Sequence, residues 1–307
     1  MDFRDWLSDS ISHIRADGVG GVSEALYPVY KKGLHQLFRI TRGGQPIYQS
    51  DWDLLIVLDG CRLDLMKKVA GEFPYIDHVG RKRSVDTMTR EWMKKNFTDE
   101  FTDEMSDTAF LSGNPHSDWL LDAEDFLLLD EVWRYGWDDE LGTLRPRPLT
   151  DRAISVARTK SPPRMIVHYM QPHYPFIPTP GLDKGIDIDR FGELPWDNVW
   201  DRLRKGDITE ATVWEGYCEN LKHVLDDVEL LLENVDAETV VITADHGNAV
   251  GEWGIYGHPI HMPVDAVQLV PWVETSATDN HTHEPANHKA RNIQDDAETR
   301  LEQLGYK

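Results

Sequence analysis

The sequence predicts an α/β protein with a mostly parallel central sheet and helices on both faces. Two observations carry this: short uninterrupted apolar runs that end in acids or small polar residues, and amphipathic helical patterns alternating with them. The run DLLIVLD over 53–59, followed by Gly60, reads as a strand buried on both faces, because it leaves no alternate position for solvent. Ahead of it, residues 1–50 form an N-terminal helical appendage, with helical patterns at 3–14 and 22–38 and a turn-rich stretch at 41–46. Residues 51–307 make up the α/β domain. Helical patterns at 62–69 and 89–97 precede a second buried run, Thr108–Ser112, and a helix at 150–158 precedes a third, 165–169. The Pro- and Gly-rich segment 171–195 is too long for a plain connection and predicts a lid or binding loop. A long helix over 209–233 places Trp214, Tyr217, Leu221 and Val224 on one core-facing stripe. The fourth strand is 239–243; a polar, His-rich stretch at 275–288 reads as a solvated loop, and a short helix at 295–304 as packing back on the domain.

Composition bounds the function. The chain has 307 residues and a formal charge of −22, from 54 acidic against 32 basic side chains. Nucleic acid and anionic membranes are excluded as main partners, since both are gripped by surplus Lys and Arg. With 40% hydrophobic residues the chain buries a proper core, so the acidity describes a hydrated surface, as in adaptation to high salt, rather than disorder. Cys61 and Cys218 cannot build a disulfide framework and lack the spacing of a thiolate metal site. No run approaches the ~18 apolar residues of a membrane span, and the amino terminus has no apolar signal core. The expectation is a soluble, cytoplasmic protein.

In an open parallel sheet, ligands collect beyond the carboxyl ends of the strands. The first strand ends in Asp59, followed by Gly60 and Arg62; the fourth ends in Asp245-His246-Gly247-Asn248. Two carboxylates and an imidazole at neighbouring strand ends supply oxygen and nitrogen ligands for a divalent cation. Each signal alone is weak, and their joint placement is what counts. Between and beyond them lie RSVDTMTREW at 83–92, PHYPF at 172–176 and GEWGIYGH at 251–258.

These pieces, in this order, resemble the alkaline phosphatase superfamily, specifically its sulfatase-like branch, over about 51–272. The resemblance implies an alkaline phosphatase/sulfatase-like fold with Asp59, Asp245 and His246 on one metal ion, Mn²⁺, Zn²⁺ or Ca²⁺. It implies that His258 meets the substrate anion or a second metal. The Cys-x-Pro-x-Arg motif that yields formylglycine in typical sulfatases is absent. Thr87 instead resembles the threonine nucleophile of lipoteichoic acid synthase-like phosphotransferases, also touching the metal, with Ser84 and Thr89 as competing hydroxyls. A second metal site looks incomplete, since His173 and Ile177 stand where two-metal relatives carry Asp and His. His173, His258 and Arg62 are then expected around the anionic oxygens of a small ester or glycan-linked substrate. The implied activity is metal-dependent hydrolysis of phosphate or sulfate esters through a covalent threonine intermediate, the missing motif favouring phosphorus. Phosphotransfer to a surface glycan or lipid-linked sugar is the alternative, and a non-catalytic binding module on the same scaffold the second. Blander readings stand beside several residues: Arg62 as a solvated first-turn residue, Thr89 as a helix cap, Asn248 as a turn residue, His168 as buried and hydrogen-bonded, and the Trp-rich 132–139 as core packing.

Overall fold

The computed structural model describes residues 27, 29–38, 43–182, 185–191 and 198–287. The helical patterns at 3–14 and 295–304 lie outside the described residues. The central sheet is built from β1 Leu54–Leu58, β2 Gly80–Arg83, β3 Thr108–Ser112, β4 Leu128–Glu131, β5 Arg164–Tyr169, β6 Ala237–Thr243 and β7 Leu269–Ala277. Their spatial order is β2-β7-β6-β1-β5-β3-β4. Pairing is parallel from β6 through β4, while β7 runs antiparallel to both β6 and β2.

All five residues of β1 are buried because both faces are covered. Leu54, Ile56 and Leu58 join one core, under α1 Leu63–Val69, α3 Pro146–Lys160 and α5 Glu210–Leu232. Leu55 and Val57 join the other, under α2 Thr89–Asn96, with Trp92, Met93, Phe110, Ile166 and Val241. Strand alternation divides the apolar run between two layers, and each fully buried Leu or Ile contributes about 1.5–3 kcal/mol. Helix α5 starts where Thr209 accepts the amide proton of Thr212, and it buries Tyr217, Leu221 and Val224 as the stripe predicts.

Three strands were not expected. The half-buried GRKR of β2 sits at the sheet edge, where charged side chains guard against further pairing and erase the apolar signature. The residues of β4 are all only partly buried. β7 takes up 275–277, so the stretch expected as a solvated loop is partly sheet. His283 within it is bonded to Asp151 at 2.6 Å, and His288 lies outside the described residues. Residues 29–38 form a helix whose Leu34 packs on Ile255, Met262, Val264 and Val267, the wall beside His258. Ile47 and Tyr48 are buried in the α2-side core. Among the described residues no helix is long and apolar enough to cross a membrane.

Candidate active site

The register of the sheet brings the carboxyl ends of β1, β3, β5 and β6 level. Asp59 follows β1 directly. Gly60, at φ +72°, then turns its N–H onto Asp245 Oδ1 at 3.0 Å; a Cβ there would stand 2.6 Å from the Asn248 amide. Beyond β3, Asn114 donates its side-chain amide to Asp59 Oδ2 at 2.7 Å. Thr89 is the first residue of α2, and its hydroxyl lies 2.6 Å from Asp245 Oδ2 and 3.2 Å from His246 Nε2. His246 Nδ1 gives its proton to the Gly247 carbonyl at 3.0 Å, so Nε2 carries a lone pair. That lone pair stands 3.7 Å from Asp59 Oδ1 and 3.4 Å from Asp245 Oδ2.

Two carboxylates and an imidazole lone pair thus face one another, with a single hydroxyl proton among them. Asp59 Oδ1 has no hydrogen-bond partner among the described residues. Burial, and then repulsion from Asp245, push the Asp59 carboxyl well above the usual range. Burial works the same way on Asp245, but His246, His168, the Thr89 hydroxyl and the Gly60 N–H together hold it below that range. A divalent cation fits this deficit. Four ligands at about 2.0–2.1 Å around Zn²⁺ stand roughly 3.3 Å apart along a tetrahedron's edges, close to the separations His246 Nε2 makes with the other three. His168, expected to be hydrogen-bonded, has no partner at either ring nitrogen among the described residues. Its Nε2 lies 3.9 Å from Asp245 Oδ2, and it belongs with Asp59 and Asp245 to a group whose ligand atoms lie within 4.8 Å of one another. Burial pushes its imidazole down to about 4.

A second layer of imidazoles stands over this cluster. The His258 ring stacks on His246 with centroids 4.2 Å apart, and its Nε2 lies 3.1 Å from His173 Nε2. His173 Nδ1 donates to the Tyr174 carbonyl at 2.7 Å, so the proton between the two rings belongs to His258 Nε2. Burial pushes His173 and His116 down to about 4 and His258 well below its ordinary value. Burial thus holds these three imidazoles towards their neutral form. At the rim, His116 and Phe191 pack on Trp119, which is 52% exposed.

The expected residues part company here. Asp59, Asp245, His246, His173 and His258 come together. The Thr87 hydroxyl does not join them: it donates to the Pro259 carbonyl at 2.7 Å and accepts the Met262 N–H at 3.1 Å. Ser84 donates to the Asp245 backbone carbonyl. Thr89, a competing hydroxyl also read as a cap, is the hydroxyl on the cluster, and among the described residues no side chain caps α2. Arg62 is spent as well. Its Nε and Nη2 bind Asp64 at 2.8 and 2.6 Å, while Nη1 binds the Asn248 carbonyl at 2.8 Å and Glu252 at 2.7 Å. The guanidinium packs against Trp214 along a groove of about 950 Å³ that Lys68 and Glu252 also line. Asn248 is buried and holds the Gly60 carbonyl and the Tyr217 hydroxyl, at 3.2 and 2.9 Å, rather than finishing an exposed turn. Asn114 and His116 went unnoticed in the sequence, although the strand-end rule applied to β3 points at both.

No protein-family model and no curated protein matches the chain. Solved structures do share its fold. The soluble domain of lipooligosaccharide phosphoethanolamine transferase A from Neisseria meningitidis superposes with a TM-score of 0.50 at 15% identity, covering 75% of this chain and 77% of that one. The integral membrane form of that transferase gives a TM-score of 0.52 at 13% identity, over 91% of this chain and 60% of its own. The chain thus spans less than two thirds of the whole transferase. Seven strands in this order with helices on both faces give the central sheet of the described residues the fold that these transferases share.

Proposed function

We propose that the chain is a metal-dependent hydrolase of phosphate esters that carries the phospho-group on Thr89 as a covalent intermediate. The observation that supports this reading is the Thr89 hydroxyl itself, held 2.6 Å from Asp245 Oδ2 and 3.2 Å from His246 Nε2 at the start of α2. Thr87 and Ser84 are engaged on backbone carbonyls. Asp59, Asp245, His246 and Thr89 would hold the cation, which when bound supplies positive charge beside the hydroxyl and the substrate's anionic oxygens. Thr89 Oγ1 attacks phosphorus as the bond to the leaving alcohol breaks, and the proton that leaves the hydroxyl is passed through water to the leaving oxygen. Water then attacks the phosphothreonine, which restores the hydroxyl and releases phosphate. The positive end of α2 faces the charge that builds on the transferring group, and the His258 ring, stacked on His246 with its Nε2 proton on His173, walls the site beside it. Phosphorus rather than sulfur esters are favoured, because Cys61 is fully buried with its Sγ turned to the Arg62 carbonyl at 3.7 Å, no place for a formylglycine.

Chelated protein resupplied with Mn²⁺, Zn²⁺ or Ca²⁺ is expected to hydrolyse a nitrophenyl phosphodiester or monoester in preference to the sulfate. Unchanged turnover in Thr89→Ala would overturn the covalent step. A second reading, transfer to a glycan or lipid-linked sugar, draws support from the two transferases that share the fold. Product analysis with and without a sugar acceptor separates it from hydrolysis. A protein inert towards every ester, metal-loaded and folded, would leave the binding-module reading.

A further inference from the structure

The motif that singled out Thr87 does other work. Asp86 and Thr87 are both fully buried, and both reach across to 259–262. Asp86 accepts the His261 ring proton from Nδ1 at 2.6 Å and the His261 backbone N–H at 3.2 Å. Thr87 donates to Pro259 and accepts from Met262, at 2.7 and 3.1 Å. Lys95, one side chain further along α2, closes the set with an ion pair to Asp86 at 2.6 Å. The other side of His261 is covered by the N-terminal helix, whose His35 and Phe38 rings lie 4.7 and 5.4 Å from it. His261 is held at φ +54°, a backbone state that a side chain other than glycine keeps only when its surroundings dictate it. These bonds join the segment immediately before Thr89 to the segment immediately after His258.

The geometry assigns Asp86 and Thr87 as positioning residues that staple 259–262 to the approach to α2 and so set His258 against the Thr89 hydroxyl. The inference rests on the roles given above to Thr89 and His258. Neither Asp86 nor Thr87 touches the metal cluster in any of these contacts, so the staple governs the distance between Thr89 and the His258 ring, not the holding of the ion. Reacting groups displaced by about 1 Å lose on the order of 10²-fold in rate.

The test compares Thr87→Val, which keeps the shape and removes the hydroxyl, with Thr87→Ser, which keeps the hydroxyl. A third variant, His261→Asn, removes the ring contact at a partly exposed position and suits the left-handed backbone. Each is read by amide exchange at Met262, bound-metal content, and kcat and KM on the nitrophenyl phosphodiester. In Thr87→Val the Met262 amide is expected to exchange about tenfold faster. Its kcat falls about tenfold or more, with KM within about twofold and metal content unchanged. Thr87→Ser restores exchange and kcat together, and His261→Asn shows the same pattern at about threefold. Native exchange or native kcat in Thr87→Val overturns the staple, as does loss of metal in parallel with kcat. Should Thr87→Val fail to fold, His261→Asn with native exchange and kcat overturns it alone. Failure of the catalytic reading is visible separately: the unmodified protein then turns over no ester, while Met262 exchange still reports on the staple.

Discussion

The two ends of the central sheet are equally polar and opposite in accounting. At the amino end, Arg158 reaches both oxygens of Asp279 at 2.8 Å, the His283 carbonyl at 2.9 Å and Asn234 at 3.1 Å. His283 in turn meets Asp151. In this cluster each charge meets an opposite one. At the carboxyl end, Asp59, Asp245, His246 and His168 face each other with Asp59 Oδ1, both His168 nitrogens and His258 Nδ1 left without partners among the described residues. A buried polar group without a partner costs about 1–3 kcal/mol. Such groups also occur singly elsewhere, as at Trp137, Arg164 and Trp200, but at the carboxyl end they are gathered around two buried carboxylates. It is the clustered deficit, not the polarity, that sets the carboxyl end apart from the amino end.

The sharpest way to break this contrast is Thr89→Ala. Ester turnover is expected to fall by about 10³-fold or more, with the protein still folded by circular dichroism. Next comes Asn114→Ala, which frees the second oxygen of Asp59. Partners one step removed from a metal change its affinity by about 10–100-fold, so a competition titration should show weakening of that order. At the saturated end, Arg158→Met is expected to cost about 1–3 kcal/mol in denaturant unfolding and to leave kcat and metal affinity unchanged.

The smallest effect is in pH. The folded chain binds the Asp59 proton more tightly than the unfolded chain does, so this contribution to stability is full below the unfolded carboxylate value and is lost as pH rises through the folded one. Asp245 has the opposite sign, contributing above the unfolded value and losing its contribution in acid. A bound cation removes the Asp59 penalty. The gain in melting temperature on adding Zn²⁺ should therefore grow from acid to neutral pH, by a few degrees, and a gain that shrinks with pH would contradict the assigned charge deficit.

Much of this was legible before any coordinates. A run such as LLIVL, apolar at every position, has no solvent face, so β1 and the fold class follow from it. The strand-end rule then finds Asp59, Asp245 and His246 without knowledge of their neighbours. It fails where the strand itself is silent: β2 is GRKR, whose charges at an edge carry no period, and β7 contains Pro271, which interrupts its pattern. Which hydroxyl faces the cluster was illegible for a related reason. Ser84, Thr87 and Thr89 lie within one short segment, and only the turn into α2 decides which hydroxyl swings to the metal side. Arg62 misled because a cation beside a metal carboxylate suggests anion binding, whereas Asp64, two residues on, and Glu252, far along the chain, claim it first.

β2 is hydrogen-bonded in the sheet to β7 alone, and β2 runs directly into the segment that carries Ser84, Thr87 and Thr89. β7 is the last strand of the sheet to leave the ribosome. As the chain is made, the segment 84–89 must wait until residues 269–277 have emerged before it has an edge to lie on. The Asp245 carboxylate that Thr89 faces also emerges late. On the proposed reading, a growing chain carries no armed hydroxyl until residues 245 and 269–277 have been added.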